Sequence, residues 1–557
     1  MNPLIEKHRD TLQQATGACH DRSCWSGFVE SPSTRIHGND APAAGKRAFE
    51  SHLGKPFELA QPGEIGRLGV EVSPYTRELL AIDYPEVEVA AVCAASSQAM
   101  QSWRRVDPDT RAAMCIELLR VLEASLFENA HATMHTAGQS FMMGFVGSGA
   151  NALDRGLEAV VYAHKAMTDI PRQAHWVKPF GKGEVALDKR YHYVPRGIAL
   201  VICCATFPAW NAYPAIMANL MTGNPVVLKP HPNGILPMAI ATRLMRESLA
   251  ENGYDPNLVI MAADTREDPI AGRFLERKDV AIVDFTGSQR YGSWLEQNVR
   301  DKLVYTETSG VNSVIIESTD DPEGMVQAIA HSLCLFSAQM CTSAQNMRVP
   351  REGIRTPEGM LSLEEFSQRL VAAIDAKVSD PQSAAGTCGA VQAQESIDLI
   401  DQLSEQGQVL RASSPYEHPE FANARTATPL VIAVDDPADS VHRREHFGPI
   451  SFVVADDSPD SALDCAASEA KQHGAISTYL YSVNDAYLDR AEELLIDAGA
   501  SFTCNLTGPM ALNYGAAYSD LHVTGLNPAG NASLTTLDFV ASRFRMAQCR
   551  WPAGTRG

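Results

Sequence analysis

The feature that most constrains this chain is an alternation that starts near residue 193. "GIALVICCA" reads as a buried strand and "YPAIMANLMTG" as a helix closed by glycine. "NPVVLKP", "NLVIMAA" and "VAIVDFTGS" follow as strands, separated by the helical stretches "ILPMAIATRLMRESLAENG" and "AGRFLERKD" and followed by "QRYGSWLEQNVRDK". Strands that are apolar throughout, rather than on alternate residues, are covered on both faces, and helices of this length between them make parallel βαβ units. The alternation resumes over 311–500, with "NSVIIES", "PLVIAV", "ISFVVAD" and "AISTYLYS" as strands. The expected class is therefore α/β, with a Rossmann-type domain followed by a second α/β domain.

The flanks read differently. Residues 1–85 are rich in Gly, Pro, Ser and His with only short helical patterns, and are expected to form an irregular extension that wraps the body. From Glu86 the pattern is helical, and Met114, Leu118, Val121 and Leu122 recur on one helix face after a proline-containing N-cap, "VDPDT". "GEVALDKRYHYVP" looks like a projecting strand, and the C-terminal "TTLDFVASRFRMAQCRW" is expected to pair with such a strand in a neighbouring subunit. The predicted division is an extension at 1–85, one α/β domain at 86–168 and 193–310 and another at 311–500, which the family resemblance given below implies to be cofactor-binding and catalytic respectively. Residues 169–192 and 530–557 form a small oligomerisation arm, implying a homodimer or homotetramer.

At 557 residues the chain is too long for one core. A formal net charge of -21 argues against nucleic acid or an anionic membrane as partner. The longest apolar run, "IALVICCA", is too short to span a bilayer, and the N-terminus carries no signal-type apolar stretch. Twelve cysteines without CxxC or other metal-type spacing fit a reduced, cytoplasmic protein with no structural metal.

In "SLCLFSAQMCTSAQNMRVP" two cysteines lie seven positions apart, and a free cysteine is by default a small buried hydrophobe. Lys229 in "VVLKP" sits at the C-terminal edge of a predicted parallel strand, where open α/β sheets bind ligands. Thr286, Gly287, Ser288 and Gly292 in "DFTGSQRYG" join a strand end to a helix N-terminus that would suit a pyrophosphate. Glu307 in "YTETSG" and Glu445 and Phe447 in "REHFGPIS" lie on loops next to strands. Each of these motifs alone has an ordinary structural explanation.

Taken in order and spacing, the motifs resemble the aldehyde dehydrogenase superfamily over roughly residues 85–545. "YTETSG" stands where that family has E-L-G-G, "AQMCT" where it has G-Q-x-C, and "EHFGP" matches E-x-F-G-P. Glu307 and Cys341 lie 34 positions apart, as the family's base and nucleophile do. The resemblance implies that Cys341 attacks an aldehyde carbonyl, a hydride passes to NAD or NADP, and Glu307 activates the water that hydrolyses the thioester. It also implies that Lys229 binds the adenosine ribose and that Gly287 and Ser288 face the pyrophosphate. Glu445 would hold the nicotinamide ribose, with Phe447 packed beside it. Cys334 stays a packing residue.

Three departures carry expectations. Counting back from Lys229, the family's oxyanion asparagine falls on Thr206, while Asn211 in "AWN" lies five positions too close and reads as a helix residue. Pro232 replaces the glutamate that selects NAD, so NADP is expected to bind at least as well, with His231 a possible contact. Ser309 replaces a glycine after Glu307. The extension, "GQSFMMGF" and "FSAQMCTSAQNMRVP" look like the branch linked to phenylacetate degradation (the PaaN type). That implies a ring-opened, CoA-linked semialdehyde as substrate, without the hydratase domain fused to better-known relatives. A CoA-acylating enzyme and a catalytically weak scaffold subunit are the alternative readings.

Overall fold

The computed structural model of the chain describes residues 2–437, 439–508, 510–533 and 536–555; positions 534, 535, 556 and 557 of the expected C-terminal segment lie outside it. The extension begins with a helix that composition did not suggest, α1 (Pro3–Asp21), capped by the Asn2 side chain and closed by Arg22 in the left-handed conformation. Ala15 and Ala18 bury one face of α1 in the largest core cluster, against which Leu4 and Leu12 also pack. A strand β1 (Glu64–Leu68) then pairs antiparallel with β2 (Tyr84–Val87), so the extension is ordered rather than irregular.

Helix α2 (Val89–Trp103) leads to α3 (Pro108–Ala124), where the Asp107 carboxylate accepts from the Thr110 N–H as the expected N-cap. Met114, Leu118 and Leu122 are all buried on α3. A buried turn of π-helix (Val146–Asn151) precedes α4 (Ala152–Thr168). The arm follows as a hairpin of β3 (Gln173–Phe180) and β4 (Gly183–Pro195).

The predicted alternation is realised in β5 (Ile198–Ile202), α5 (Ala212–Met221), β6 (Val226–Lys229), α6 (Ile235–Glu251), β7 (Val259–Met261), β8 (Val280–Thr286), α7 (Gln289–Asn298) and β9 (Leu303–Glu307). The five strands are parallel, in the order β7-β6-β5-β8-β9. Strand order therefore reverses between β5 and β8, which opens a crevice at their C-terminal ends. Helix α6 has no cap of its own at Gly234. Instead Glu71, from the extension, accepts from the Ile235 and Leu236 N–H groups at 2.5 and 3.0 Å, and its other oxygen accepts from the Tyr84 hydroxyl.

The second lobe is a seven-stranded sheet. Four of its strands were read from the sequence: β10 (Ser313–Ile316), β13 (Leu430–Val434), β14 (Ile450–Asp456) and β15 (Ser477–Tyr481). The strands β11 (Asn346–Pro350), β12 (Gln408–Arg411) and β16 (Ser501–Cys504) were not, and the order is β12-β13-β14-β11-β10-β15-β16. Strand β11 hid because its buried Arg348 looks like a surface residue. Its guanidinium donates to Asp456 at 2.9 and 3.1 Å and is held by Glu469, all inside the fold.

The C-terminal strand β17 (Phe544–Pro552) corrects one expectation. It pairs with β4 of its own chain, from Phe544 opposite Pro195 to Pro552 opposite Leu187, giving a three-stranded sheet β17-β4-β3. The cause is Arg543, which is fully buried and donates to Asp284 at 2.6 and 2.8 Å and to Asn219 at 2.9 Å. That anchor delivers the next residue to the base of β4.

Candidate active site

A cavity of about 1200 Å³ opens at the C-terminal ends of β5, β6 and β8 and extends to the second lobe. Ile202, Lys229 and Thr286 line it from the first sheet, and Cys341, Glu445 and Phe447 from the second lobe. The motif residues gather at this cavity with two exceptions, Glu307, which is buried beside it, and Gly292. Gly292 does not line the cavity: it is buried, and a Cβ there would meet Thr308 at 2.7 Å, so it serves the approach of α7 to the loop after β9. Gly287 and Ser288 do line it, and the Ser288 side chain caps α7 by accepting from the Tyr291 N–H. Tyr291 and Trp294, stacked with centroids 5.6 Å apart, form a cavity wall that sequence reasoning missed; their i, i+3 spacing on α7 was the available signal.

Cys341 follows three successive residues in the left-handed region, Phe336, Ser337 and Ala338, each with φ of 50°. None is glycine, and such conformations persist only where surrounding contacts impose them. Here the Ser337 hydroxyl donates to the Cys388 carbonyl at 3.1 Å. Gln339, which accepts from the Gln392 N–H at 2.8 Å, donates to the Phe336 and Ala390 carbonyls. Asn312 then donates to the carbonyls of Cys341 and Ser343 at 2.8 and 3.0 Å, and Tyr479 to that of Thr342 at 2.6 Å. Cys341 is therefore held from both sides, whereas Cys334 is sealed in the core at the end of the preceding helix.

Glu307 ends β9, with its side chain 1% exposed. The loop carrying Gly530 closes over it; a Cβ at Gly530 would strike the Thr306 carbonyl at 2.6 Å. Burial pushes the Glu307 carboxyl up to about 7, opposed by the Asn211 amide, which donates to Oε1 at 2.9 Å. Asn211 is the residue the spacing argument set aside. It is the N-cap residue of α5, and its amide reaches both Glu307 and, at 3.1 Å, the Thr286 hydroxyl. Thr206 lines the same cavity, half-buried, and its carbonyl accepts from Gln139 at 2.7 Å.

His522 is the second residue that the motifs did not reveal. It comes from a loop near the C-terminus and stands with Nε2 3.8 Å from the Cys341 sulfur and 3.5 Å from Glu307 Oε1. Burial and then Arg155 hold its imidazole down at about 3, so it is neutral at ordinary pH. Burial, then Glu307, raises the Cys341 thiol well above the ordinary cysteine range.

At the other end, Lys229 pairs with Asp264 at 2.7 Å. Beside it, His231 is held down to about 4 by burial, then by Lys229 and Arg266, so it is an uncharged neighbour there. Arg266 lines the cavity half-exposed and pairs with Glu395 at 2.6 Å. The Ser309 hydroxyl donates to Glu445, whose carboxyl is raised by burial. The residues present fit a dinucleotide: a helix N-terminus, a glycine whose Cβ would strike the Phe285 ring at 2.7 Å, a lysine and a half-buried carboxylate line one crevice.

A doubly wound domain with its crevice at the strand reversal, joined to a second lobe that brings a thiol beside a carboxylate, defines an α/β oxidoreductase of the dinucleotide-dependent class. The model of the aldehyde dehydrogenase family matches residues 71–499, and the chain belongs to that family: it is an NAD(P)-dependent aldehyde dehydrogenase. The crystal structure of an NAD-dependent aldehyde dehydrogenase from Burkholderia multivorans is 44% identical, covers 99% of both chains and superposes with a TM-score of 0.97. The 1-pyrroline-5-carboxylate dehydrogenase of Bacillus licheniformis is 25% identical over 433 residues, 74% of this chain and 77% of that one. The N-succinylglutamate 5-semialdehyde dehydrogenase of an Enterobacter species is 24% identical over 494 residues, 87% and 91% of the two chains.

Proposed function

We propose that the chain oxidises an aldehyde to its acid through a thioester on Cys341, hydrolysed by water that Glu307 deprotonates. The observation that carries this reading is the convergence of Cys341 Sγ, Glu307 and His522 within 4.8 Å at the wall of the cavity. The thiol gives its proton to the Glu307 carboxylate, within 4.8 Å of the sulfur, which passes it to solvent before hydrolysis, and the sulfur forms a bond to the carbonyl carbon. The carbonyl oxygen then carries negative charge. Thr206 and the Cys341 N–H, which lies against its own sulfur, are the donors we assign to it. The bound nicotinamide cofactor supplies the hydride acceptor. Glu307 then takes a proton from water, the hydroxide displaces sulfur from the acyl carbon, and Cys341 regains its proton. Asn211 spends its amide on Glu307 and Thr286, so we assign it to positioning the base.

The cofactor residues are assigned as Lys229 for the adenosine ribose, Thr286, Gly287 and Ser288 for the pyrophosphate and Glu445 with Phe447 for the nicotinamide ribose. NADP is accepted at least as well as NAD, because Pro232 lines the cavity where a carboxylate would repel the 2′-phosphate. Arg266, rather than the uncharged His231, is the cation on offer.

For the substrate we infer a CoA-linked semialdehyde of phenylacetate or related aromatic catabolism. Supporting this, the cavity of about 1200 Å³ is larger than the roughly 300–1,000 Å³ usual for a small-molecule site, and Met143 from "GQSFMMGF" lines it. A free amino-acid semialdehyde, as the relatives' names suggest, is the second reading. Against it, Arg155, the buried guanidinium at the thiol end, is already tied to Glu158 and to the Ala516 and Asp520 carbonyls. A burst of NAD(P)H with excess aldehyde, lost in Cys341→Ala, tests the chemistry. Glu307→Gln is expected to accumulate a thioester; turnover faster with coenzyme A than with water in the unmodified enzyme would instead make it acylating. Higher kcat/KM for free than for CoA-linked semialdehydes would remove the substrate assignment. The arm exposes Trp176, Val177, Phe180 and Val185, and we assign it to pairing in a homodimer or homotetramer.

A further inference from the structure

The cluster around the Cys341 sulfur offers a second chemistry. We propose that Glu307, Cys341 and His522 form a binding site for a divalent transition-metal ion, with zinc the best-suited species. Thiolate, imidazole and carboxylate are the ligand types that zinc takes, and the first two also suit cobalt. His522 Nε2 lies 3.8 Å from Cys341 Sγ and 3.5 Å from Glu307 Oε1, and all three ligand atoms fall within 4.8 Å of one another. A tetrahedral ion with bonds of about 2.0–2.3 Å keeps its ligand atoms roughly 3.3–3.8 Å apart, so only sub-ångström to one-ångström adjustments are needed.

Three further observations support the site. Glu307 holds its second oxygen, Oε2, buried without a hydrogen-bond partner, an acceptor the fold leaves unused. Asn211 donates to Oε1 at 2.9 Å, the outer support that metal-binding carboxylates usually have. Cys341 and His522 both line the cavity, so a fourth position is open to water. Charge also balances: one thiolate and one carboxylate neutralise a dication, with neutral imidazole as third ligand. Binding expels the thiol proton, and any proton on Glu307, to solvent. The three ligands come from a strand end, a clamped loop and a C-terminal loop, so no sequence spacing announces them.

An ion here occupies the sulfur that the proposed reaction needs and would act as a reversible inhibitor; that consequence rests on the function proposed above, whereas the site rests on geometry alone. The test is titration of the full-length protein with cobalt(II) chloride in place of zinc, followed by the thiolate-to-cobalt charge-transfer absorption. The expected result is one cobalt per chain with that absorption present, lost in Cys341→Ser and in His522→Phe, and displaced by zinc. Zinc should also slow iodoacetamide labelling of Cys341, mapped by mass spectrometry, by about tenfold or more. Absence of the charge-transfer absorption overturns the site, and so does its survival in Cys341→Ser, which would make the exposed Cys24, Cys504 or Cys549 the ligand. Should the serine variant fail to fold, the labelling of the unmodified protein decides, and undiminished Cys341 labelling under zinc overturns it. Failure of the catalytic reading looks different: zinc would shield the sulfur while aldehyde oxidation continued undisturbed.

Discussion

At the scale of single residues, the chemistry depends on how burial treats charge. The Glu307 carboxyl is raised from 4.5 to about 7 chiefly by desolvation, so its basic form grows as pH rises through neutrality. Hydrolysis-limited turnover, measured with a chelator present, should rise along an acidic limb with an apparent pKa near 7. Asn211→Ala removes a bond to the charged form and should move that limb upward; an unmoved limb would detach Asn211 from the base. Stability follows the opposite sign. Between pH 4.5 and 7 the folded state holds a proton that the unfolded state has lost, so the Glu307 contribution is full below 4.5 and disappears as pH passes 7. The shift corresponds to on the order of 3 kcal/mol, so thermal scans should show Glu307→Gln gaining stability at pH 8 and little at pH 4. Thr206→Val keeps the shape and removes the hydroxyl. If that hydroxyl holds the oxyanion, kcat should fall about 100- to 1,000-fold with little change in cofactor affinity, and a near-normal kcat would leave the task to the Cys341 N–H. Local patterns mark Cys341, Lys229 and Glu445, which line the cavity, and Glu307, which is buried beside it. Asn211 was lost because counting assumed an unshortened path to Lys229, whereas α5 brings its N-cap residue straight to Glu307. His522 has no local pattern at all; only the folded chain brings it to the sulfur.

At the scale of elements, apolar runs were sufficient for the strands buried on both faces, since nothing but β structure covered by helices explains "IALVI" or "ISFVVAD". They failed where a buried strand carries a paired charge, as Arg348 does in β11, and for the short edge strands β12 and β16. They also failed for α1, whose buried residues are His8, Ala15 and Ala18, with Leu4 and Leu12 only partly covered. The Glu71 contact shows a further limit: a helix can borrow its N-terminal cap from a residue more than 160 positions away. Glu71→Ala leaves the Ile235 and Leu236 N–H groups unpaired in the interior. Chemical denaturation should register a loss of about 2 kcal/mol, with weaker cofactor binding because α6 follows the loop from Lys229. No loss would mean that water reaches those groups.

For the whole molecule, the division into two sheets could be read from the sequence, but the way the termini lock onto them could not. The extension covers α3 and caps α6, while Arg543 ties the C-terminal segment to Asp284 and Asn219 beneath the first sheet. Arg543→Ala leaves Asp284 buried without its cation. A drop of about 3–5 kcal/mol in unfolding free energy is expected, and, if the arm pairs subunits as proposed, a smaller particle by light scattering, because the arm loses its anchor. A stable variant of unchanged size would show that the arm does not depend on it. The cis pairing of β17 with β4 also sets an order of events at the ribosome. The hairpin of residues 173–195 emerges with one edge bare and waits roughly 350 residues for the strand that covers it. Until the final strand is translated, that edge is open to any passing chain, so nascent or prematurely stopped products should be the species that clump and recruit chaperones.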